Sequence, residues 1–274
     1  MSTLMNPNGY TDCYVAFIDI LGFKNFIEKN DDNFDVVDDL YKRIENISQH
    51  IISLRPEMFT EEAMTSIKYC IVSDTIFVAI PKKQKKSLHI LLMFVNILIY
   101  PILYYNNLLF RGAISEGNFY INNGIAFGSG IVRAAKLEKE LAIYPRVIFT
   151  PGLLKSYFND NNNDETYIKE IKNLVKVDPV IKDSLFIADY MGAFISIVDF
   201  NVRDNVCSVD KANKIFATIC QNITEFICKF EQKDIREKYI YFANYYNFHV
   251  SRFKNNKKLL FDLKEIDVSN ILTY

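Results

Sequence analysis

The chain has 274 residues, with 32 Lys+Arg against 33 Asp+Glu and a net charge of -1. Apolar residues make up 50% and charged residues 24%, which is ordinary globular usage. That excludes a disordered or fibrous chain, leaves length enough for a full core, and removes any bulk attraction to nucleic acid or anionic membrane.

Cysteine and histidine usage narrows the chemistry. Cys13, Cys70, Cys207, Cys220 and Cys228 form no C-x-x-C, and residues 1–12 are polar rather than an apolar leader. A reduced, cytoplasmic protein is expected. His50, His89 and His249 are scattered, so a zinc site of neighbouring His and Cys is not expected. Any bound metal would be held by carboxylates, which favours Mg2+ or Mn2+.

In chain order, YVAFIDI (14–20) is a short apolar run that predicts a buried strand delivering Asp19 to its end. LGFKNFIEKN reads as a tight turn and a short helix. Apolar residues at 36, 37, 40, 44, 47, 51 and 54 predict a second helix, stopped by Pro56. SIKYCIV and TIFVAI are two strand-type runs separated by Ser73-Asp74, a hairpin signal. PKKQKK is a solvated loop.

Residues 87–110 carry no formal charge and are long enough to cross a membrane. Asn96, Pro101, Asn106 and Asn107 interrupt them, so a buried soluble helix and a turn are expected instead. LFRGAIS predicts a strand and NFYINNG a hairpin-like return. GIVRAAKLEKELAIY predicts a helix with apolar positions 131, 134, 135 and 141. RVIFT predicts a strand, and Pro151 opens a short helix.

The polar run 159–164 marks an internal boundary. LFIAD and AFISIVDF predict two further strands around Met191-Gly192. From Asp210 to about Val250 the pattern is helical. This order predicts an α+β fold, a ferredoxin-like palm with helices on one face of the sheet. Residues 10–205 are expected to form the main domain and 206–274 a helical C-terminal extension packed on it.

In that palm the first strand lies beside the first hairpin. Asp19 and Asp74 then meet at one edge of the sheet. Taken singly, Asp19 could cap the following helix and Asp74 could serve its turn. Together they suit two divalent cations ~3.5–4 Å apart, the arrangement for in-line displacement at phosphorus. The turn at Leu21-Gly22-Phe23 would offer helix amides to a triphosphate.

FIDILGF (17–23) resembles the F-x-D-I-x-G-F signature of class III nucleotidyl cyclases. Ser73-Asp74, RGAISEG (111–117) and the spacing of Gly130, Ala134, Leu137 and Glu138 extend the likeness. It is closest to the pyrimidine cyclases of Pycsar anti-phage defence, which are similar also in a later D-x-x-G, here Asp189 to Gly192, and a KY…Y-x-N stretch, here Lys238-Tyr239 to Tyr246-Asn247.

The resemblance implies that Asp19, Asp74 and the Ile20 carbonyl hold two Mn2+ or Mg2+ ions per active site. It implies that Gly22 and Phe23 cradle phosphates and that Phe17 lies at the substrate. Cys70 and Ile125 stand where purine cyclases carry their base-reading residues, and neither can read a purine. Tyr69 is a further base-contact candidate, although it should face away from Cys70.

Val132 and Lys136 stand where the family carries an Asn and an Arg that face the transition state. Lys136 and Arg111 are therefore the candidate catalytic cations, with Arg146 in reserve. The implied activity is conversion of UTP or CTP to the 3′,5′-cyclic mononucleotide, a second messenger. The implied assembly is a homodimer sharing its active sites, to which the apolar 87–105 helix could contribute. No nucleic acid or membrane partner is expected. Loss of the Asn, Arg and triphosphate Lys leaves a non-catalytic nucleotide-binding domain as the alternative. A diguanylate-cyclase-like palm is disfavoured, because Val72-Ser73-Asp74-Thr75-Ile76 does not resemble Gly-Gly-Asp-Glu-Phe.

Overall fold

A computed structural model describes residues 9–49, 64–84, 86–122, 125–160, 165–256 and 259–268. The end of the second predicted helix, Pro56, His50, the Asn123-Gly124 tip and residues 161–164 lie outside them. The fold is mixed α+β, built on one open mixed sheet in the order β2-β3-β1-β4-β6-β8-β7, with β5 paired to β4.

Strand β1 (Thr11–Leu21) is central, and runs antiparallel to both β3 (Thr75–Pro81) and β4 (Leu109–Asn122). Strand β2 (Lys68–Val72) completes the hairpin with β3 and forms one edge. Ser73 opens its two-residue loop with φ 57, the left-handed value such loops favour at their first position. The predicted neighbourhood of first strand and first hairpin is therefore present.

The predicted strand and return at LFRGAISEGNFYIN are one long strand, β4. It folds back as β5 (Ile125–Phe127) beyond residue 122. Strand β6 (Val147–Phe149) lies parallel to β4; β7 (Val175–Val177) and β8 (Phe186–Ala188) close the second edge.

Two short helices, α1 (Phe23–Lys29) and α2 (Phe34–Glu45), follow β1. The charge-free segment becomes α3 (Ser87–Ile97) and a π turn (Tyr100–Tyr104). Every residue of α3 is buried, so this apolar stretch is consumed inside one chain and offers no dimer face.

Helix α4 (Ser129–Leu141) corrects the expectation of helices on one face. Alternation puts Val15, Asp19, Arg111 and Ser115 on one side of the sheet, and Ala16, Ile18 and Ile20 on the α3 side. α4 lies over the first side: Ser115 Oγ donates to the Gly130 carbonyl at 2.7 Å. A Cβ on Gly130 would stand 2.6 Å from Val15 Cγ2, so glycine is what permits the approach.

Helices α5 (Leu153–Asp160) and α6 (Glu165–Leu174) precede β7. AFISIVDF is not a strand. It belongs to helix α7 (Tyr190–Arg203), whose first amides are capped by Asp189. A short apolar run cannot separate a buried strand from a buried helix by periodicity, and both faces of α7 are apolar. Helices α8 (Val209–Lys229) and α9 (Lys233–Asn256) complete the chain. Their buried residues, among them Phe216, Ile223, Tyr245 and Phe242, join the same core as the sheet.

Gly130→Ala should destabilise the protein. Helix propensity favours alanine by up to ~1 kcal/mol, but overpacking against β1 costs ~1–3 kcal/mol. Urea unfolding should show a lower midpoint, recovered in part when Val15→Ala is added. An unchanged midpoint would mean that α4 shifts freely.

Candidate functional site

β1 and the β2–β3 loop bring Asp19 and Asp74 together. Asp19 pairs in register with Thr75 of β3 and Arg111 of β4. The Ile20 amide donates to the Asp74 carbonyl at 2.8 Å. Tyr41 of α2 donates its hydroxyl to the Ser73 carbonyl at 3.2 Å, fastening the hairpin tip to α2. Thr75 Oγ1 lies 3.4 Å from Asp74 Oδ1. Asp19 does not cap α1; Gly22 occupies the N-cap with φ 81. A side chain there would cost ~1 kcal/mol in left-handed backbone, and glycine leaves the first amides of α1 without a side-chain cap.

Arg111 organises the carboxylates. Its Nε donates to Asp19 Oδ2 at 2.9 Å, and Glu138 Oε1 of α4 lies 2.7 Å from the same nitrogen. Nε carries one hydrogen, and Asp19 takes it. Glu138 Oε1 is thus buried beside the cation without a hydrogen bond among the described residues. Burial pushes the Glu138 carboxyl above its usual range; Arg111 opposes this, and the charges of Asp19 and Asp74 add to it. Lys238 of α9 stands within electrostatic reach of the same group. Burial lowers its ammonium from the usual lysine range, Arg111 adds to that, and Asp19 opposes it.

Glu138 and Lys238 were not singled out as site residues from the sequence, although signals exist. Glu138 falls on the apolar stripe of α4 with Ile131 and Ala134. Lys238 continues the buried α9 stripe of Phe242, Tyr245 and His249. A charged residue on a buried stripe is the informative exception.

The other candidates divide. Phe17 shares the Asp19 face and packs on Phe77 at 5.3 Å, and Cys70 lies opposite Phe77 on that same face. Tyr69 faces the other way and packs on Phe94 of α3 at 5.9 Å, away from the carboxylates. Phe23 is buried against Phe26 and Tyr41, so only its main chain is available. Ile125 pairs with Asn122, eleven residues along β4 from Arg111, roughly 36 Å at the usual rise. Lys136 is exposed and lies 3.9 Å from Glu140. Neither Ile125 nor Lys136 joins Asp19 within one chain. Arg146 turns its two terminal nitrogens to Asp178, Asp183 and the Leu141 carbonyl, a structural role.

No protein-family model matches this chain, and no curated protein is significantly similar to it.

Among the described residues, no three His, Cys, Asp or Glu side chains cluster as a metal centre. The oxygen donors at this edge are the two carboxylates and the Ile20 carbonyl, hard ligands of the kind that Mg2+ or Mn2+ prefers. Around Glu138, the carboxylates of Asp19 and Asp74 are faced by the cations Arg111 and Lys238, so the three carboxylates outnumber the two cations by one formal charge.

Glu138→Gln tests that surplus. The group's folded pKa is raised, so wild-type stability is intact below the ordinary glutamate pKa and falls as pH rises toward the folded value. The variant should therefore gain stability over wild type between pH 4.5 and neutrality. Denaturant midpoints at several pH values check this; a difference that does not vary with pH would refute it.

Proposed function

We propose that this protein is a nucleotidyl cyclase of the class III type. It joins the 3′-hydroxyl of a pyrimidine nucleoside triphosphate to its own α-phosphorus and expels pyrophosphate. The observation that carries the reading is the meeting of Asp19 and Asp74, residues far apart in the chain, at one edge of the sheet. The antiparallel order β2-β3-β1-β4, with helices joining β1 to β2 and β3 to β4, supports the ferredoxin-like palm.

Asp19, Asp74 and the Ile20 carbonyl would hold Mn2+ or Mg2+. When bound, such ions lower the pKa of an attacking hydroxyl and absorb charge on the phosphate oxygens. Arg111 orients Asp19 through its Nε, and in this role it positions a ligand rather than touching substrate. Lys238 places a positive charge beside the carboxylates, where triphosphate oxygens would come. Gly22 keeps the start of α1 open to phosphate. Phe17, Phe77 and Cys70 share the adjoining face. None of these three side chains offers a charged or amide group to read a purine edge, and each unpaired polar group of a purine costs ~1–3 kcal/mol. A pyrimidine is therefore the expected base, with UTP ahead of CTP.

The active sites are shared in a homodimer. Val132 and Lys136 stand on the solvent side of α4, and Ile125 and Phe127 are exposed on β5. This face, rather than α3, would meet the second copy and bring Lys136 to its carboxylates. A non-catalytic nucleotide-binding role is the second reading. It is favoured by Val132 in place of an Asn and by the ties of Arg111 to its own carboxylates.

Incubation with equimolar NTPs and Mn2+, read by mass spectrometry, separates the two. Cyclic UMP is the expected main product, with cyclic CMP behind it. Asp74→Asn and Asp19→Asn should each lower turnover about 100-fold or more while retaining the fold. Asn keeps a partner for Arg111, which Ala would leave uncompensated. Cyclic AMP or cyclic GMP as the main product would reject the pyrimidine assignment, and no product at all would favour the binding domain.

Light scattering should give twice the chain mass of 31.9 kDa. Mixing inactive Asp19→Asn with inactive Lys136→Ala should restore part of the activity, since one site of a mixed dimer is intact. Absence of restoration in mixtures shown to contain heterodimer would sink the shared site.

A further inference from the structure

A second charged cluster lies at the far edge of the sheet, where β7 meets α7 and α9. Asp189 is almost wholly buried there. Its Oδ1 is 2.8 Å from the Tyr245 hydroxyl and 2.9 Å from His249 Nε2. Its Oδ2 is 2.8 Å from Lys176 Nζ and 3.5 Å from Arg252 Nη1. Gly192 makes this crowding possible: a Cβ there would stand 2.6 Å from Asp189 Oδ2 and 2.8 Å from His249 Cε1. Asp189 is saturated, and it cannot neutralise every cation around it.

The cations open on a cavity of about 260 Å³ lined by Lys172, Lys176, Arg252, Asp189 and Phe248. Among its described lining residues, Asp189 is the only carboxylate, against three formal positive charges. Burial keeps the adjacent His249 ring neutral in preference to charged, with Asp189 opposing and Lys176 and Arg252 reinforcing this. The surplus is therefore about two positive charges facing one small opening. Lys172 otherwise lies 5.7 Å above the Phe158 ring, and Lys176 lies 4.9 Å over Phe248.

We propose that this cavity is a second ligand site, which takes a phosphate dianion between Lys172, Lys176 and Arg252. It has room for a phosphate group and for part of an attached organic group. The guanidinium of Arg252 supplies a planar fork and the two ammonium groups supply point charges, the usual division of labour in anion recognition. The anion is inorganic phosphate or the phosphate of a phosphomonoester, whose organic part would lie on the half-exposed Phe248 ring. The cavity is remote from the carboxylate pair: along α9, Lys238 and Arg252 are fourteen residues, roughly 21 Å, apart. The proposal stands whether or not the chain is a cyclase.

Isothermal titration at constant ionic strength tests it, with inorganic phosphate in one arm and a nucleoside 5′-monophosphate in the other, both without divalent metal. Wild type and Asp19→Asn should bind phosphate alike and saturably. Lys172→Gln combined with Arg252→Gln should weaken binding at least tenfold. Both replaced side chains are surface-reaching, and circular dichroism and the unfolding midpoint verify the fold. Arg252→Lys alone should retain part of the affinity. Equal affinity in both arms assigns the site to the free anion, and tighter monophosphate binding assigns it to a phosphomonoester. No saturable binding in wild type overturns the proposal. So does binding that survives the double substitution or disappears in Asp19→Asn.

Discussion

The site is governed by one shortage: Arg111 has a single Nε hydrogen and two carboxylates beside it. Asp19 takes the hydrogen, and Glu138 is left at ion-pair distance with a buried oxygen unserved. Three parts of the fold meet at this point, namely the central strand through Asp19, β4 through Arg111 and α4 through Glu138. Burying such charges is costly, and their mutual attraction offsets only part of that cost at Glu138, whose carboxyl stays raised. The cluster therefore behaves as a clasp joining sheet and helix, with Lys238 as the second cation within its reach.

The clasp works because α4 lies close to the strands. Small residues carry that approach: Gly130 admits Val15, and Ser115 reaches the Gly130 carbonyl. With a bulkier contact the helix would stand off, and Glu138 would not reach Arg111. Packing on this face and electrostatics at its end are thus one arrangement. Helix α9 also contributes to the site, delivering Lys238 from the stripe of Phe242, Tyr245 and His249.

How much of this was legible in the sequence varied with the range of the interaction. The apolar run 14–20 and the Ser73-Asp74 gap marked β1 and the hairpin, because strand and turn signals are local. The juxtaposition of Asp19 with Asp74 followed from the element order alone. Helix α7 was misread, since an unbroken apolar run carries no period and the deciding cap, Asp189, acts across one turn. The second helical face was missed because Gly130 announces close packing only once its neighbour across the sheet is known. Glu138 and Lys238 were passed over for the same reason: a stripe shows that a charge is buried, and only the three-dimensional partner shows why.

The position of β1 has a consequence for the newly made chain. The strand at the middle of the sheet is synthesised well before its two neighbours: Asp19 and its partner Arg111 are 92 positions apart. An apolar ribbon with both hydrogen-bonding edges bare must wait on the ribosome until β3 and then β4 emerge. Non-local pairing of this kind is slow, and unpaired strands of this composition are where chains adhere to one another. The short helices α1 and α2, which need only neighbouring residues, can form meanwhile. The burden on a chaperone would thus fall on the segment that later holds the sheet together.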